Sequence, residues 1–263
     1  VERSVGVELG ASVITNVTAQ DGKQSYDIMK AIFDFEGMTL EYVELKEGEA
    51  FDMSTIVDQN SGQGAFVEGL NTADEIDGSN FSDGIVAGGG ADKLDGGGGA
   101  DRIEGGEGND IIEGGDGNDT LYGEGDNDTI TGGSGVDVIY GGTGNDTLVD
   151  FGDSTIYGGE GNDIFNRADN DPESDGTYGL ILYGEEGNDS FNYLQNVKII
   201  DAGTGDDEVA ILGNGTASPT SIKGGDGYDK LTINANYPYW AIISGFEEIS
   251  ADGTGVIPDH IGA

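Results

Sequence analysis

The feature that most constrains this chain is a nine-residue repeat that runs without insertion over residues 69–149. Rows such as GGEGNDIIE and GGDGNDTLY share a pattern of glycine, aspartate and one apolar residue. In all nine rows the sixth position is aspartate and the eighth is isoleucine or leucine. A fixed short period of this kind indicates a solenoid, in which each unit buries its apolar side chain only by stacking on its neighbours.

Each row divides into a turn and a short strand. The six residues G-G-x-G-x-D form a turn, because glycine adopts positive φ at little cost. The last three residues, x-U-x, form a strand whose central side chain points inward. Two rows then make one coil of 18 residues. We therefore predict an all-β fold, a right-handed parallel β-roll (β-solenoid) with irregular β caps at both ends.

Beyond residue 149 the repeat is less regular. Residues 150–157 form a shortened row, and residues 167–174 are a predicted insertion. Later rows that keep the pattern fully or partly lie at 158–166, 184–192, 202–210 and 224–232. We place the β-roll at 69–232, between an N-terminal β cap or small β-domain at 1–68 and a C-terminal cap at 233–263. Predicted flanking strands lie at 5–9, 12–18, 26–35, 38–45, 240–243 and 246–249. A short helix at 30–37 is the alternative to the third of these strands, and a separate ligand-binding domain is the alternative to the N-terminal cap.

The charge of the chain limits its partners. Acidic residues number 52 and basic residues 10, which gives a formal net charge of −42. A compact fold with this charge repels itself unless counter-ions bind, and nucleic acid is an unsuitable partner. The chain has no cysteine, so neither disulfides nor thiolate zinc sites can stabilise it. A divalent cation is the expected stabilising partner.

The sixth-position aspartates suggest which cation. Ca²⁺ takes six to eight oxygen ligands from carboxylates and carbonyls, and a single turn supplies too few. Two turns stacked on the same edge of the roll, from rows n and n+2, can enclose an ion. One edge would carry Asp74, Asp92, Asp110, Asp128 and Asp146, and the other Asp83, Asp101, Asp119 and Asp137. The alternative is a solvated acidic surface, but nine aspartates in register favour roughly seven calcium sites at most.

These rows, most clearly GGEGNDIIE, GGDGNDTLY and GGTGNDTLV, resemble the repeats of the RTX (repeats-in-toxin, haemolysin-type) calcium-binding family, whose pattern is G-G-x-G-x-D-x-U-x. The resemblance implies folding on calcium binding and export through a type I secretion channel to the cell surface or medium. It also implies that sixth-position aspartates and alternate turn carbonyls bind several Ca²⁺ ions.

The corresponding aspartates here are Asp83, Asp92, Asp101, Asp110, Asp119, Asp128, Asp137, Asp146, Asp163, Asp189, Asp207 and Asp229. The corresponding carbonyls belong to Gly88, Gly90, Gly97, Gly99, Gly106, Gly108, Gly115, Gly117, Gly133, Gly135, Gly142 and Gly144. The pattern is incomplete at 70–73, 79–82 and 123–126, where glycines are missing, and calcium sites there are in question.

The sequence lacks the usual catalytic motifs. Its only histidine is His260, and neither H-E-x-x-H nor a lipase-like G-x-S-x-G is present. We therefore predict that the chain is not an enzyme. No run of 18 apolar residues occurs, so we expect no membrane span.

Three functions fit these observations. The favoured one is a structural or adhesive segment of a cell-surface or matrix protein. The second is the calcium-dependent module of a secreted protease, lipase, epimerase or cytolysin whose catalytic domain lies elsewhere. The third is a carbohydrate-binding module that uses Tyr237, Tyr239 and Trp240. Candidate partners besides calcium are cell-surface polysaccharide and other copies of the chain.

Overall fold

The computed structural model describes residues 42–44, 50–52, 64–150, 152–167, 179–192, 197–211, 221–234 and 242–252. These residues form strands and turns. None of them is helical, and accordingly the described ranges offer no helix of the length and apolarity that a bilayer crossing needs.

The strands build two parallel sheets, each of eleven strands in the described part of the chain. The first sheet contains β1 (Tyr42–Glu44), β3 (Phe66–Glu68), β5 (Gly84–Gly89), β7 (Arg102–Glu107), β9 (Thr120–Gly125), β11 (Val138–Thr143), β13 (Thr155–Glu160), β15 (Leu180–Glu186), β17 (Val197–Thr204), β19 (Ser221–Asp226) and β21 (Ile242–Ser244). The second contains β2 (Ala50–Asp52), β4 (Glu75–Ser79), β6 (Lys93–Gly97), β8 (Ile111–Asp116), β10 (Thr129–Ser134), β12 (Thr147–Asp150), β14 (Ile164–Arg167), β16 (Ser190–Asn192), β18 (Glu208–Ile211), β20 (Lys230–Asn234) and β22 (Glu248–Asp252).

Consecutive strands lie in opposite sheets, and each strand pairs in parallel with the strand two places further along the chain. Ile85, for example, pairs with Ile103, one 18-residue coil later. This arrangement confirms the predicted all-β parallel β-roll.

The irregular rows keep the same register. The shortened row reduces the offset to 17 residues, with Ile139 pairing with Ile156. Across the predicted insertion, Phe165 pairs with Phe191 at an offset of 26 residues, eight more than a regular coil. Eight is the length of the predicted insertion at 167–174, so the extra residues leave the sheets in step.

The eighth-position side chains form the core between the two sheets. Ile76, Ile85, Leu94, Ile103, Ile112, Leu121, Ile130, Ile139 and Leu148 are all at most 1% exposed. Phe165 and Phe191 continue the stack with ring centroids 4.4 Å apart. The core is therefore a single column of side chains from each sheet, with each buried residue contributing about 1.5–3 kcal/mol.

Close stacking of the turns explains the glycines at the second and fourth positions. Gly97 and Gly99 have φ of 87° and 126°. A Cβ on Gly99 would lie 2.5 Å from the backbone nitrogen of Ser82 in the turn below. Gly98, between them, has only ordinary contacts, the nearest at 3.7 Å. Among the first four positions of this turn, only the third therefore has room for a side chain.

Three larger residues adopt the same strained conformation. Glu124, Asp126 and Glu185 have φ of 75°, 71° and 75°. A non-glycine residue in this region costs about 1–2 kcal/mol. The turn at 123–126 consequently keeps the path of its neighbours although two glycines of the pattern are missing.

The flanks extend the two sheets. Strands β1, β21 and β22 lie within or overlap the predicted strands at 38–45, 240–243 and 246–249. The predicted strands at 5–9, 12–18 and 26–35 lie outside the described residues. The domain boundaries at 68/69 and 232/233 stay predictions.

The stacking of the turns predicts opposite outcomes for two adjacent alanine substitutions. Gly99→Ala should lower the free energy of unfolding by at least about 1–2 kcal/mol, because the residue needs positive φ and has no room for a Cβ. Gly98→Ala should change it by less than about 0.5 kcal/mol. Urea unfolding in saturating calcium, followed by circular dichroism, measures both. Equal destabilisation by the two substitutions would contradict the described turn geometry.

Candidate metal centre

The sixth-position aspartates lie inside the roll. Exposure is between 0 and 4% for Asp74, Asp83, Asp92, Asp101, Asp110, Asp119, Asp128, Asp137, Asp146, Asp163, Asp189, Asp207 and Asp229. A solvated acidic surface is therefore the wrong interpretation of these residues, because their carboxylates have lost contact with water.

From Asp83 onwards, one oxygen of each carboxylate joins a hydrogen-bond ladder along its edge of the roll. The backbone N–H of Asp110 donates to Oδ1 of Asp128 at 2.8 Å, and that of Asp128 donates to Oδ1 of Asp146 at 2.8 Å. On the other edge, Asp101 donates in the same way to Asp119 at 2.8 Å. The ladder thus connects rows n and n+2, as expected from the alternation of edges.

The other oxygen, Oδ2, is buried without a hydrogen-bond donor in the described part of the chain. This holds for Asp92, Asp101, Asp110, Asp119, Asp128, Asp146, Asp163, Asp189, Asp207 and Asp229. A buried ionised oxygen without a partner is expensive. Each of these carboxyl groups must therefore either bind a proton or face a cation.

A second oxygen converges on the same place. Oδ2 of Asp119 lies 2.7 Å from the point where a Cβ on Gly114 would sit, and the carbonyl oxygen of Gly132 approaches this point closely as well. The same pair of oxygens surrounds Gly96, Gly105, Gly123, Gly141, Gly158, Gly184 and Gly224. Both acceptors thus lie beside one glycine Cα, which excludes a side chain at this position. These first-position glycines were absent from the predicted site.

The glycines predicted to supply carbonyl ligands lie on the stacking faces of the turns. All twelve have positive φ, between 87° and 140°. The carbonyl oxygens of Gly88 and Gly90 point at Gly106 and Gly108 in the next turn of the same edge. The structure thereby places these predicted carbonyls between stacked turns.

Carboxylates alone cannot hold a metal here. Among the described residues, no three acidic or histidine side chains come together. An ion between the turns would therefore depend on backbone carbonyls with one or two aspartates. Calcium accepts such an all-oxygen, carbonyl-rich set, and the residues present fit it.

The first two rows differ from the rest. Asp74 Oδ2 accepts the N–H of Leu70 at 2.7 Å. Asp83 accepts the N–H of Ala65 at Oδ1 and that of Ser79 at Oδ2, both at 2.6 Å. Both oxygens of Asp83 are satisfied by the chain itself, so it is the least suited of the predicted ligands. The turn that precedes Asp83, at 79–82, also lacks the glycines of the repeat pattern.

The shortened row also departs from the ladder. Here Ser154 replaces the aspartate, and its Oγ accepts the N–H of Asp137 at 2.7 Å. Asp150 is fully buried, and its carboxyl group lies beside that of Asp137. This layer therefore brings two carboxyl groups together where other layers have one carboxylate and one carbonyl.

An asparagine ladder runs on the outer side of the turns. The N–H of Asn145 donates to Oδ1 of Asn127 at 2.7 Å, and that of Asn127 to Oδ1 of Asn109 at 3.0 Å. Asn162 and Asn188 continue it. Fifth-position asparagines thus satisfy exposed backbone donors. The recurrent N-D dipeptide was the available signal for this ladder, which the sequence analysis missed.

Burial raises the pKa of Asp101 and Asp128. It is the largest cause at both sites, and neighbouring carboxylates on the same edge add to it, whereas backbone hydrogen bonds to the carboxylate act in the opposite direction. The pKa rises to about 9 for Asp101 and about 8 for Asp128. It rises to about 6 for Asp110 and Asp119, and to about 7 for Asp137, where the Asp150 carboxyl contributes.

Tyr237, Tyr239 and Trp240, predicted as a weak ligand-binding set, lie outside the described residues, as does His260.

These raised pKa values predict that the cation-free roll is most stable in acid. The folded chain keeps protons that the unfolded chain, with a pKa of 3.8, releases. This stabilisation is complete below about pH 4 and is lost as pH rises through about 6 to 9. In chelator, the β content should therefore fall from pH 4 to pH 9, as measured by circular dichroism. Asp101→Asn should flatten this profile more than the exposed Asp116→Asn does, and a β content that rises with pH would contradict the account.

Asp119→Asn should have opposite effects with and without calcium. Asparagine keeps the Oδ1 acceptor for Asp101 but replaces Oδ2 by an amide, which donates to oxygen and cannot bind a cation. Stability in calcium should fall by about 1–3 kcal/mol, and roughly two ions fewer should bind. In chelator at about pH 4, where the cation-free roll is expected to be folded, the variant should be at least as stable as the wild type.

Isothermal titration calorimetry and urea unfolding measure these effects, with Asp116→Asn as the control of equal charge. An equal loss of stability in calcium and in chelator would show that Asp119 is purely structural.

Comparison with known proteins agrees with this geometry. The family model for the RTX calcium-binding nonapeptide repeat (four copies) matches residues 68–103, 77–112, 95–130, 113–148 and 150–171. No curated protein matches the chain. The matched rows carry much of the aspartate ladder, which continues beyond them through Asp189 and Asp207 to Asp229. Residues 68–148 and 150–171 of this chain therefore match the RTX calcium-binding nonapeptide repeat.

Proposed function

We propose that this chain is an extracellular calcium-binding β-roll that folds when calcium binds after secretion, as a structural or adhesive segment of a cell-surface or matrix protein. The observation that carries the proposal is the interior row of aspartates whose Oδ2 atoms face carbonyl oxygens and no donor. The match of residues 68–171 to the RTX calcium-binding repeat supports the choice of calcium.

Electrostatics explain why folding would wait for the ion. Without a cation, each edge of the roll is a column of carboxylates, in a chain of net charge −42. Burial raises the pKa of Asp101 and Asp128, so that ionising these carboxyl groups in the folded roll is unfavourable. Calcium between the turns would supply the missing positive charge, so that its binding free energy becomes folding free energy.

The expected affinity supports an extracellular location. Extracellular calcium modules bind with dissociation constants on the order of 10⁻⁴ to 10⁻³ M. Cytosolic calcium is too dilute to fill such sites, so the chain would stay unfolded and could pass through a secretion channel. Outside the cell each coil would template the next, because a solenoid is stabilised by contacts between neighbours.

A structural role suits the regularity of the described roll. In the described residues the interior positions are used by the core column and the aspartate ladders, so the repeat itself assembles no group of side chains aimed at a substrate. We propose that the chain is not catalytic. A role as the calcium module of a secreted enzyme or toxin would use the same sites, and a catalytic domain in the same polypeptide would distinguish it.

Carbohydrate binding depends on Tyr237, Tyr239 and Trp240. Glycan binding that is lost in Trp240→Ala, with an unchanged calcium-bound circular dichroism spectrum, would favour that function. Retention of glycan binding in the variant would remove these residues as its cause.

Calcium titration of the chelator-treated chain tests the proposal. Far-UV circular dichroism should show a cooperative change from coil to β at calcium concentrations on the order of 10⁻⁴ to 10⁻³ M. Mg²⁺, which demands octahedral geometry and dehydrates reluctantly, should not replace it. A β spectrum that chelator leaves unchanged would contradict folding on calcium binding.

A further inference from the structure

A row of four tyrosines crosses the outer face of the first sheet. Tyr122, Tyr140, Tyr157 and Tyr183 occupy paired positions in β9, β11, β13 and β15. Their rings stack with centroids 4.8, 4.9 and 5.0 Å apart and interplanar angles of 6–9°. Parallel strands impose this spacing.

Beside the tyrosines runs a row of shorter uncharged side chains. Thr120, Val138, Thr155 and Ile181 lie two residues earlier in the same four strands, and like the tyrosines they are only partly buried. We call these eight residues the tyrosine face. None of the eight is charged, in a chain with 52 acidic residues. Among the described residues, the second sheet has no such face. The corresponding outward positions of its strands β8, β10, β12 and β14 include the charged Glu113 and contain no aromatic residue.

Ion pairs border the tyrosine face at both ends. Arg102 pairs with Glu104, donates from Nη1 to the Tyr122 hydroxyl at 2.7 Å and lies 4.1 Å from the centre of that ring. At the other end, Lys223 pairs with Asp201 at 2.8 Å. The uncharged area therefore has defined limits along the roll.

The exposed part of the tyrosines favours a flat partner over a sugar. Their ring faces are covered by one another, so a saccharide has no free row of faces on which to stack. The ring edges and hydroxyls form a ridge, and the shorter row forms a groove next to it. The face of another sheet with the same strand spacing would be complementary in shape to this ridge and groove, since sheets pack face to face about 10 Å apart.

We propose that the tyrosine face binds the tyrosine face of a second copy of this chain. With a two-fold axis parallel to the axis of the roll, the tyrosine ridge of each copy enters the groove of the other. The same axis sets Arg102 of each copy opposite Glu104 of the other, which is complementary in charge. Two chains of net charge −42 repel at most other surfaces, so the uncharged face is where they can approach.

The expected dimer is weak. The tyrosine face offers eight residues, fewer than the roughly 20–30 residues per partner of a standard interface. The dimer rests on the proposed function in one respect, because it requires the roll to be folded by calcium. Dimerisation should therefore depend on protein concentration and disappear in chelator together with the β structure.

Sedimentation velocity of the whole chain in saturating calcium, over a series of concentrations, tests the proposal. The wild type should form a dimer whose fraction rises with concentration. Tyr140→Asp combined with Tyr157→Asp should raise the dissociation constant at least tenfold. Thr131→Asp combined with Val149→Asp adds the same charge to outward positions of the second sheet and should dimerise like the wild type.

Circular dichroism of each sample reports folding separately. If the aspartate variant does not fold, Tyr140→Thr with Tyr157→Thr replaces it, because threonine already occupies the adjacent row. A wild type that is folded in calcium but monomeric at all concentrations would overturn the dimer alone. Equal dimerisation of the tyrosine variants and the control would also overturn it, whereas a chain that stays unfolded in calcium would overturn the proposed function as well.

Discussion

The roll depends on a buried carboxylate oxygen that the protein itself leaves without a donor. In each regular layer, Oδ1 of the aspartate holds the turn below through a backbone hydrogen bond. Oδ2 instead meets a carbonyl oxygen across the first glycine of its own turn. The polypeptide thus supplies half of each site, and a cation or a proton must supply the rest.

Other features of the roll follow from this arrangement. The turns must approach closely enough for oxygens of adjacent layers to converge, and this explains why a Cβ is excluded at positions such as Gly99. The core offers only one apolar side chain per row, such as Ile103 or Ile112. This narrow core must offset both the conformational entropy lost when the turns become ordered and the mutual repulsion of the carboxylates. Ion binding is therefore suited to decide whether the chain folds.

The repeat predicted the larger features of the structure because they depend only on the period. Aspartate at every sixth position and isoleucine or leucine at every eighth gave the coil length, the edge assignments and the core. The eight extra residues between Phe165 and Phe191 match the length of the predicted insertion. Its first residue, Arg167, instead belongs to β14, where it pairs with Asp150. None of these features requires knowledge of atomic contacts.

Details that depend on contacts between stacked turns were not predictable from the pattern. Both oxygens of Asp83 accept hydrogen bonds from backbone N–H groups, which belong to Ala65 and Ser79. Nothing in the repeat pattern identifies either residue as a donor to Asp83. The positive φ of Glu124 and Asp126 contradicts the usual preference for glycine, because the neighbouring layers impose the path of the turn. Neighbouring tyrosines of the stack lie two or more rows apart in the sequence and become adjacent only because consecutive rows alternate between the two sheets.

Anomalous diffraction from crystals grown in calcium tests the central claim most directly. The account predicts two columns of calcium peaks, one on each edge of the roll, with successive peaks about 5 Å apart and next to Oδ2 of aspartates such as Asp110 and Asp119. The column should stop at the Asp83 layer, where the chain satisfies the carboxylate itself. A folded roll with no peaks beside these oxygens would show that protons alone neutralise the buried aspartates, and calcium would then have no part in building the fold.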